Sequence, residues 1–493
     1  MSARALMLQG TGTDVGKSVL VAALCRVARN QGLRVAPFKP QNMSNNAAVC
    51  PDGGEIGRAQ ALQARAAGIV PSADMNPVLL KPETDARAQV VVQGRALSTR
   101  EAADYMATRG SLLEAVLESF HRLAANYDLV LVEGAGSPAE INLRDGDIAN
   151  MGFARSAGVP VCLVGDIDRG GVIASLVGTR AVLENEDAAM IRSFLVNKFR
   201  GDPRLFDDGI RAIEHRTGWP CRGLIPWLGH AARLPAEDAV VLEQQTHESS
   251  SAPLKIAAPM LSRLANFDDA DPLIQQDGVD FSWVPPGQPI PRDSHVIILF
   301  GSKSTLGDLE FLREQGWHHD ILAHARSGGR VLGICGGFQM LGNTLSDPSG
   351  IDGAPGSARG LGLLNIDTVM NAEKTVALRV AHCALTGTRL EAYEIHVGET
   401  GGADCDRPMT AIDGRHDGAR SACGRIEGSY LHGLFVNDDF RHAWLARCGA
   451  KEQSMGNYTA NVEQAVDQFA EGVAAHVDTA QLFNDASPIG WRP

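Results

Sequence analysis

Short apolar runs alternate with longer segments of helical periodicity along most of the chain. In the first half, the runs that predict strands are residues 5–8, 34–38, 127–133, 159–164 and 193–196. Helical stretches such as residues 19–27 and 58–67 separate them. Strands that alternate with helices usually form a parallel sheet covered by helices on both faces. The pattern resumes at residues 255–259, 295–300 and 330–333, which predicts a second α/β unit.

The two units are separated by a polar, Ser-rich stretch that ends shortly before Pro253. Such composition is typical of a linker. A chain of 493 residues is also too long for a single hydrophobic core. The sequence therefore predicts a first domain at 1–235, a linker at 236–252, a second domain at 253–445 and a helical C-terminal segment at 446–493.

Composition narrows the classes of partner. The formal net charge is −13, which argues against a nucleic-acid surface because phosphate backbones are bound by clustered Lys and Arg. No apolar stretch approaches the roughly 20 residues of a membrane-spanning helix, so we expect no membrane partner and a cytoplasmic location. The nine cysteines are dispersed without a C-x-x-C pair, which indicates neither zinc nor disulfides. Composition does not decide the oligomeric state, and a homo-oligomer remains one of the alternatives.

The sequence GTGTDVGKS, residues 10–18, lies between the first predicted strand and the first predicted helix. This order is typical of a phosphate-binding P-loop, in which backbone N–H groups and a lysine bind phosphates and a Ser hydroxyl binds Mg²⁺. It is a variant loop, because Thr11 stands where the strict pattern has glycine. We predict binding of ATP and Mg²⁺, although a glycine turn before an ordinary helix is the alternative. The candidate ligands are Gly12, Thr13, Asp14, Gly16, Lys17 and Ser18.

Four further residues are candidates for the nucleotide site. Glu133 ends an apolar strand before a glycine turn, as in a Walker B site, and is predicted to hold Mg²⁺ together with Ser18. Glu55 is either a second carboxylate for Mg²⁺ or a favourable acid in a first helical turn. Lys39 follows the second strand and either neutralises a phosphate or carboxylate or is a solvated loop residue. Asn197 follows a late strand and is a candidate contact for the nucleotide base.

The second domain contains its own chemical motif, GICGG, at residues 333–337. Cys335 follows an apolar strand and precedes a helix, which is the nucleophile-elbow arrangement with Cys in place of Ser. The alternative is a buried structural cysteine. His432, in GSYLHGLF, is the candidate base, and His396, in YEIHVG, is either a competing base or a pocket-lining residue. Gly301 follows a strand and is placed to offer a backbone N–H to an oxyanion.

Taken together, these motifs resemble the cobyric acid synthase family, glutamine-dependent amidotransferases of cobalamin biosynthesis. The first half is similar to the dethiobiotin synthetase group of ATPases, and the second to class I glutamine amidotransferases. The resemblance implies an α/β protein with an N-terminal P-loop parallel-sheet domain and a C-terminal flavodoxin-like domain. It extends over almost the whole chain and rests on QNMSNN, MNPVLLKP, VEGAGSPAEINL, GDIDRGG, NKFRGD, SRLANFDDADPL, GICGGFQMLG, YEIHVG and YLHGLF.

The resemblance also implies roles for individual residues. Cys335 would attack the glutamine amide, form a thioester and release ammonia, with His432 as base. Gly301, Gly336, Gln339 and His396 would form the oxyanion hole or the glutamine pocket. Many class I members carry an acid two residues after the His, but Leu434 occupies that position here, so no third triad member is identified.

The implied small-molecule substrates are glutamine and a corrin precursor, adenosylcobyrinic acid a,c-diamide. ATP would convert its b, d, e and g carboxylates to acyl phosphates, and ammonia would then displace phosphate. Two alternatives remain, the related cobyrinic acid a,c-diamide synthase and a non-amidating P-loop ATPase. A non-amidating ATPase would have no use for Cys335 and His432.

Overall fold

The computed structural model describes residues 3–83, 87–235, 252–450 and 456–490 of the chain. The predicted linker, residues 236–252, lies outside the described residues except for its last position. Among the described residues, no helix has both the length and the apolar character needed to cross a membrane.

Six parallel strands form the central sheet of the first domain. Their order across the sheet is Cys221–Pro226, Ile191–Phe199, Val161–Asp166, Arg4–Gly10, Leu129–Glu133 and Val35–Phe38. The central strands are buried because hydrophobic clusters cover both faces of the sheet. The helices of this domain are Lys17–Asn30, Arg58–Ala67, Ala102–Thr108, Leu113–Ala124, Met151–Ala157, Val172–Val182, Asn185–Ala188 and Asp207–Thr217.

Two small sheets extend this domain towards the second one. A four-stranded sheet contains Gln41–Met43, Val78–Pro82, Arg87–Val92 and Arg95–Glu101, and a hairpin pairs Ala47–Val49 with Glu55–Gly57. Apolar residues from both small sheets pack with Tyr393 and Ile395 of the second domain in one buried cluster. The two domains therefore share a small hydrophobic core.

The C-terminal segment returns to the first domain. Helix Tyr458–Ala474 packs on the P-loop helix Lys17–Asn30, where Arg26 bonds to Glu463 and Asp467. After helix Thr479–Asp485, strand Ser487–Pro488 pairs antiparallel with the first strand. The expected boundary at residue 445 is wrong in detail, because it falls inside helix Asp438–Arg447, whose apolar side chains pack in the second domain.

The second domain is built on a six-stranded sheet. Five strands are parallel, in the order Val279–Val284, Leu254–Pro259, Val296–Leu299, Arg330–Ile334 and Ile426–Ser429, and Ala419–Arg420 joins the edge antiparallel. Its helices are Asp271–Ile274, Thr305–Glu314, Trp317–Arg326, Gly336–Met340 and Asp438–Arg447. The predicted α/β class of both domains is confirmed.

Two antiparallel sheets and one mixed sheet complete the second domain. One contains Arg415–Asp417, Thr410–Ile412, Thr375–Cys383, Arg389–His396 and Leu431–His432. Another contains Gly356–Arg359, Thr344–Asp347, Asp367–Val369 and Glu399–Gly401, and a short pair joins Leu264–Ala265 to Gly301–Ser302. The strand that carries His432 thus belongs to a different sheet from the strand that leads to Cys335.

Candidate active sites

The P-loop turn holds Lys17 close to backbone carbonyl groups. Lys17 Nζ donates to the carbonyl oxygens of Gly12 at 2.9 Å and Gly136 at 3.2 Å. Gly16 has φ +94°, a conformation that residues with a side chain rarely adopt. A Cβ at Gly10 would lie 2.8 Å from Lys17 Nζ. The geometry therefore explains the glycines at positions 10 and 16, and the two carbonyl groups fix the position of the lysine side chain.

Glu133 lies beside the P-loop helix as the sequence predicts. Its Oε1 accepts hydrogen bonds from Ser18 Oγ at 2.7 Å and Lys39 Nζ at 2.8 Å, and Oε2 accepts one from Gln63 at 2.6 Å. Burial favours the neutral acid, but Lys39 and these hydrogen bonds hold the pKa of Glu133 below its usual value. An ionised carboxylate beside a hydroxyl is a donor set that suits Mg²⁺, which completes its shell with phosphate oxygens and water.

Glu55 is not at this site. Its two carboxylate oxygens instead pair with Lys81, at 2.9 Å, and with Lys374 of the second domain. Burial disfavours its charge, yet the two lysines lower the pKa of Glu55 to about 2. The prediction that Glu55 supplies a second carboxylate to Mg²⁺ is therefore corrected, because both oxygens face ammonium groups at the domain interface. The first-turn alternative fails as well, since Glu55 lies in a strand ahead of the helix.

Lys39 and Asn197 also have defined places. Lys39 is buried and paired with Glu133, so it is not a solvated loop residue. Asn197 is buried and donates from Nδ2 to the Val15 carbonyl oxygen at 2.9 Å. That bond supports the P-loop turn, which is a role that the sequence alone did not indicate.

Cys335 occupies the predicted elbow between strand Arg330–Ile334 and helix Gly336–Met340. Its φ of +53° and ψ of −112° are strained for a residue with a side chain. A Cβ at Gly333 would lie 2.6 Å from the Gly337 carbonyl oxygen, and one at Gly337 would overlap the Leu299 carbonyl oxygen. The flanking glycines are therefore required by close backbone packing.

His432 faces Cys335 and has an acid partner. Its Nδ1 lies 2.7 Å from Asp269 Oδ2, and the other oxygen of Asp269 accepts the Gly433 N–H at 2.6 Å. Burial would lower the pKa of the imidazole, but Asp269 and Cys335 outweigh it and raise the pKa of His432 to about 9. Cys335, His432 and Asp269 thus form a triad-like chain in which the Asp269 carboxylate favours the protonated imidazole.

Asp269 is the functional residue that sequence reasoning missed. It lies in the turn Phe267–Ala270, within the FDDADPL stretch that contributed to the resemblance. Three acids at 268, 269 and 271 stand close together there, and nothing in their spacing selects the one that reaches His432.

One pocket contains Cys335, His432, Gly301, Gly336 and His396. The His396 ring stacks on Tyr430 with centroids 4.0 Å apart, and its Nε2 lies 3.5 Å from Glu394 Oε1. Both histidines have a carboxylate neighbour, but His432 lies closer to its own, at 2.7 Å, and also bonds to Cys335, so His432 rather than His396 has the geometry of a base.

Two features extend this pocket. Gln339 also lines it and donates from Nε2 to the Val397 carbonyl at 3.0 Å and to the Tyr430 hydroxyl at 3.1 Å, which holds the pocket wall. Asn45 and Lys81 reach the same pocket from the first domain. The glutaminase-like pocket is therefore bounded by both domains.

Comparison with known proteins agrees with this arrangement. Residues 6–241 match the CobQ/CobB/MinD/ParA nucleotide binding domain, and residues 255–440 match the CobB/CobQ-like glutamine amidotransferase domain. A cobyric acid synthase of Hyphomonas neptunium is 63% identical over 492 residues, covering 100% of this chain and 99% of the relative. One of Paracoccus denitrificans is 62% identical over 479 residues, covering 97% of this chain and 99% of the relative.

Proposed function

The chain belongs to the cobyric acid synthase family, and we propose that it uses ATP and glutamine to amidate the b, d, e and g carboxylates of adenosylcobyrinic acid a,c-diamide. The observation that carries this proposal is the presence of two sites in one chain. A P-loop with Lys17, Ser18 and Glu133 lies in one domain, and an elbow cysteine with His432 lies in the other. An amidotransferase needs both, because it must activate a carboxylate and release ammonia.

In the glutaminase half of the reaction, His432 takes the proton of the Cys335 thiol, and the resulting thiolate attacks the amide carbonyl carbon of glutamine. The carbon–nitrogen bond breaks, His432 gives its proton to the departing nitrogen, and ammonia leaves a glutamyl thioester. Water then hydrolyses the thioester to glutamate, with His432 taking up the proton. Asp269 supports this cycle by keeping His432 oriented and its imidazolium stabilised. Gly336 and Gly301 line the pocket beside the sulfur, where backbone N–H groups can receive the developing oxyanion.

In the synthase half, Lys17 neutralises charge on the phosphoryl group that passes from ATP to a corrin carboxylate. Ser18 and Glu133 would hold Mg²⁺, which supplies further positive charge to the phosphates when it is bound. Lys39 keeps Glu133 ionised. A free carboxylate would have to expel oxide, so the acyl phosphate provides the leaving group that ammonia displaces.

The test is Cys335→Ala, assayed with the a,c-diamide and ATP, and with glutamine or ammonium chloride as nitrogen source. We expect loss of glutamine-dependent amidation and retention of ammonia-dependent amidation, with product masses as the readout. Cys423→Ala, which removes an exposed thiol, is the matched control and should behave as wild type. Retained use of glutamine by Cys335→Ala would contradict the assignment.

A further inference from the structure

Arg58 lies at the first position of helix Arg58–Ala67 in the P-loop domain, but its side chain points into the amidotransferase domain. Its guanidinium pairs with Asp268, and its Nη2 donates to the Tyr393 hydroxyl at 3.0 Å. Both partners are buried. One cation from the first domain therefore joins two separate elements of the second.

Each of these elements touches the base of the proposed glutaminase. The Tyr393 ring stacks on the His432 ring, with centroids 5.2 Å apart and an interplanar angle of 18°. Asp268 is the residue before Asp269 in the turn Phe267–Ala270, and Asp269 accepts from His432. Arg58 is thus linked to His432 by two routes, through Tyr393 and through Asp268 with its chain neighbour Asp269.

The turn that carries Asp269 has further supports from the P-loop domain. Asn266, at the start of the turn, has φ +51°, and its Oδ1 accepts the Ala47 N–H at 3.0 Å. Asn46 Oδ1 in turn accepts the Phe267 N–H at 3.3 Å. A strained turn persists only where its surroundings hold it, and here the holding groups belong to the other domain.

We propose that Arg58 is a positioning residue for the glutaminase, which fixes His432 by holding Tyr393 and the Asp269 turn at once. The proposal rests on the glutaminase roles given above to Cys335 and His432. Arg58 itself has no place in the chemistry of the P-loop, so its loss should affect ammonia release and spare carboxylate activation. A guanidinium suits this task because it is planar, so the two N–H groups of Nη2 point in fixed directions, towards Asp268 and Tyr393.

The helix also provides a matched control. Arg65 lies on the same helix two turns further on, and it pairs with Glu463 of the C-terminal segment instead of the second domain. Arg65→Ala removes an equal charge from the same element without touching Tyr393 or Asp268.

The experiment measures glutaminase kcat and glutamine KM for the full-length wild type, Arg58→Ala, Arg58→Lys and Arg65→Ala. For Arg58→Ala we expect kcat to fall about 100-fold, as for a misplaced catalytic group, with KM changed less than about threefold. Ammonia-dependent amidation should stay within about twofold of wild type. Arg58→Lys should recover part of the kcat, since it keeps the charge but not the planar guanidinium. Arg65→Ala should match wild type in every assay.

An Arg58→Ala kcat equal to that of Arg65→Ala overturns the proposal, and so does a parallel loss of ammonia-dependent amidation, which would indicate a general structural role. If Arg58→Ala does not fold, Arg58→Lys decides, because an unchanged kcat in that variant also overturns the proposal. Failure of the proposed function itself is distinct: it would appear as no ammonia release by wild type, or as undiminished release by Cys335→Ala.

Discussion

The nucleotide site and the glutaminase site each place a reactive group on a turn between a strand and a helix, but they recruit their other residues differently. Glu133 ends one strand of the parallel sheet, Lys39 directly follows the neighbouring strand, and the P-loop follows a third strand of that sheet. His432 and Asp269 come instead from an antiparallel strand and an isolated turn.

This difference predicts which structural changes should impair the activity of each site. A site at the carboxyl edge of one sheet depends on a single core, because parallel strands bring their ends together. The glutaminase site depends in addition on the domain interface, where Asn46, Ala47 and Arg58 hold the turn of Asp269. Disruption of the first site should leave the second working, whereas disruption of the interface should impair the second alone.

The largest expected effect is that of Lys17→Ala on synthesis. Loss of charge neutralisation at the phosphates should lower amidation about 1,000-fold with glutamine or with ammonia. Glutaminase activity should remain, because Lys17 bonds only within its own domain among the contacts described. The measurements are product mass and glutamate release in parallel. Amidation near the wild-type rate would disprove the role of Lys17 at the nucleotide site.

Asp269→Asn should produce the next largest effect, confined to the other site. The amide keeps the size of the side chain but cannot stabilise the imidazolium or hold the same tautomer. We expect glutaminase kcat to fall about 100-fold at neutral pH, with ammonia-dependent amidation preserved. Asp277→Asn, in a nearby loop, is a control that should leave kcat unchanged. Full glutaminase activity in Asp269→Asn would contradict this role, because it would show that His432 does not need the Asp269 carboxylate.

Sequence reasoning succeeded where function is carried by local pattern. The P-loop and the cysteine elbow are each a strand, a glycine turn and a helix in succession, and the structure has both turns at the predicted residues. It failed for two pairs of distant residues that no recognised motif links. Asp269 and His432 are 163 residues apart, and Glu55 meets Lys374 across 319 residues. Glu55 and Lys374 meet because the two domains pack together, whereas Asp269 and His432 meet within the second domain, and no local spacing records either pairing.

The pH dependence of the glutaminase should sharpen the comparison further. Protonated His432 is needed to give a proton to the departing amide nitrogen, so activity should fall about tenfold per pH unit above its pKa of about 9. In Asp269→Asn the carboxylate that raises this pKa is absent while burial still lowers it, so the decline should begin at lower pH. A profile of kcat against pH for both proteins tests this. A decline in kcat that begins at higher pH in the variant than in the wild type would contradict this expectation.

The smallest expected effect concerns the C-terminal helix Tyr458–Ala474. Glu463 accepts from Arg26 at 2.7 Å and from Arg65 at 2.6 Å, but it is 40% exposed, and Arg26 keeps Asp467 as a second partner. Glu463→Ala should therefore cost less than about 1 kcal/mol of unfolding free energy, as for other partly solvated ion pairs. The midpoint of urea unfolding measures this cost, and Glu471→Ala, an exposed change on the same helix, is the control. Since Glu463 contacts only the first domain among the described ion pairs, glutaminase kcat should stay unchanged. A fall in that kcat would show that the C-terminal helix supports the second site as well, and the contrast between the two sites would be weaker than the interface contacts indicate.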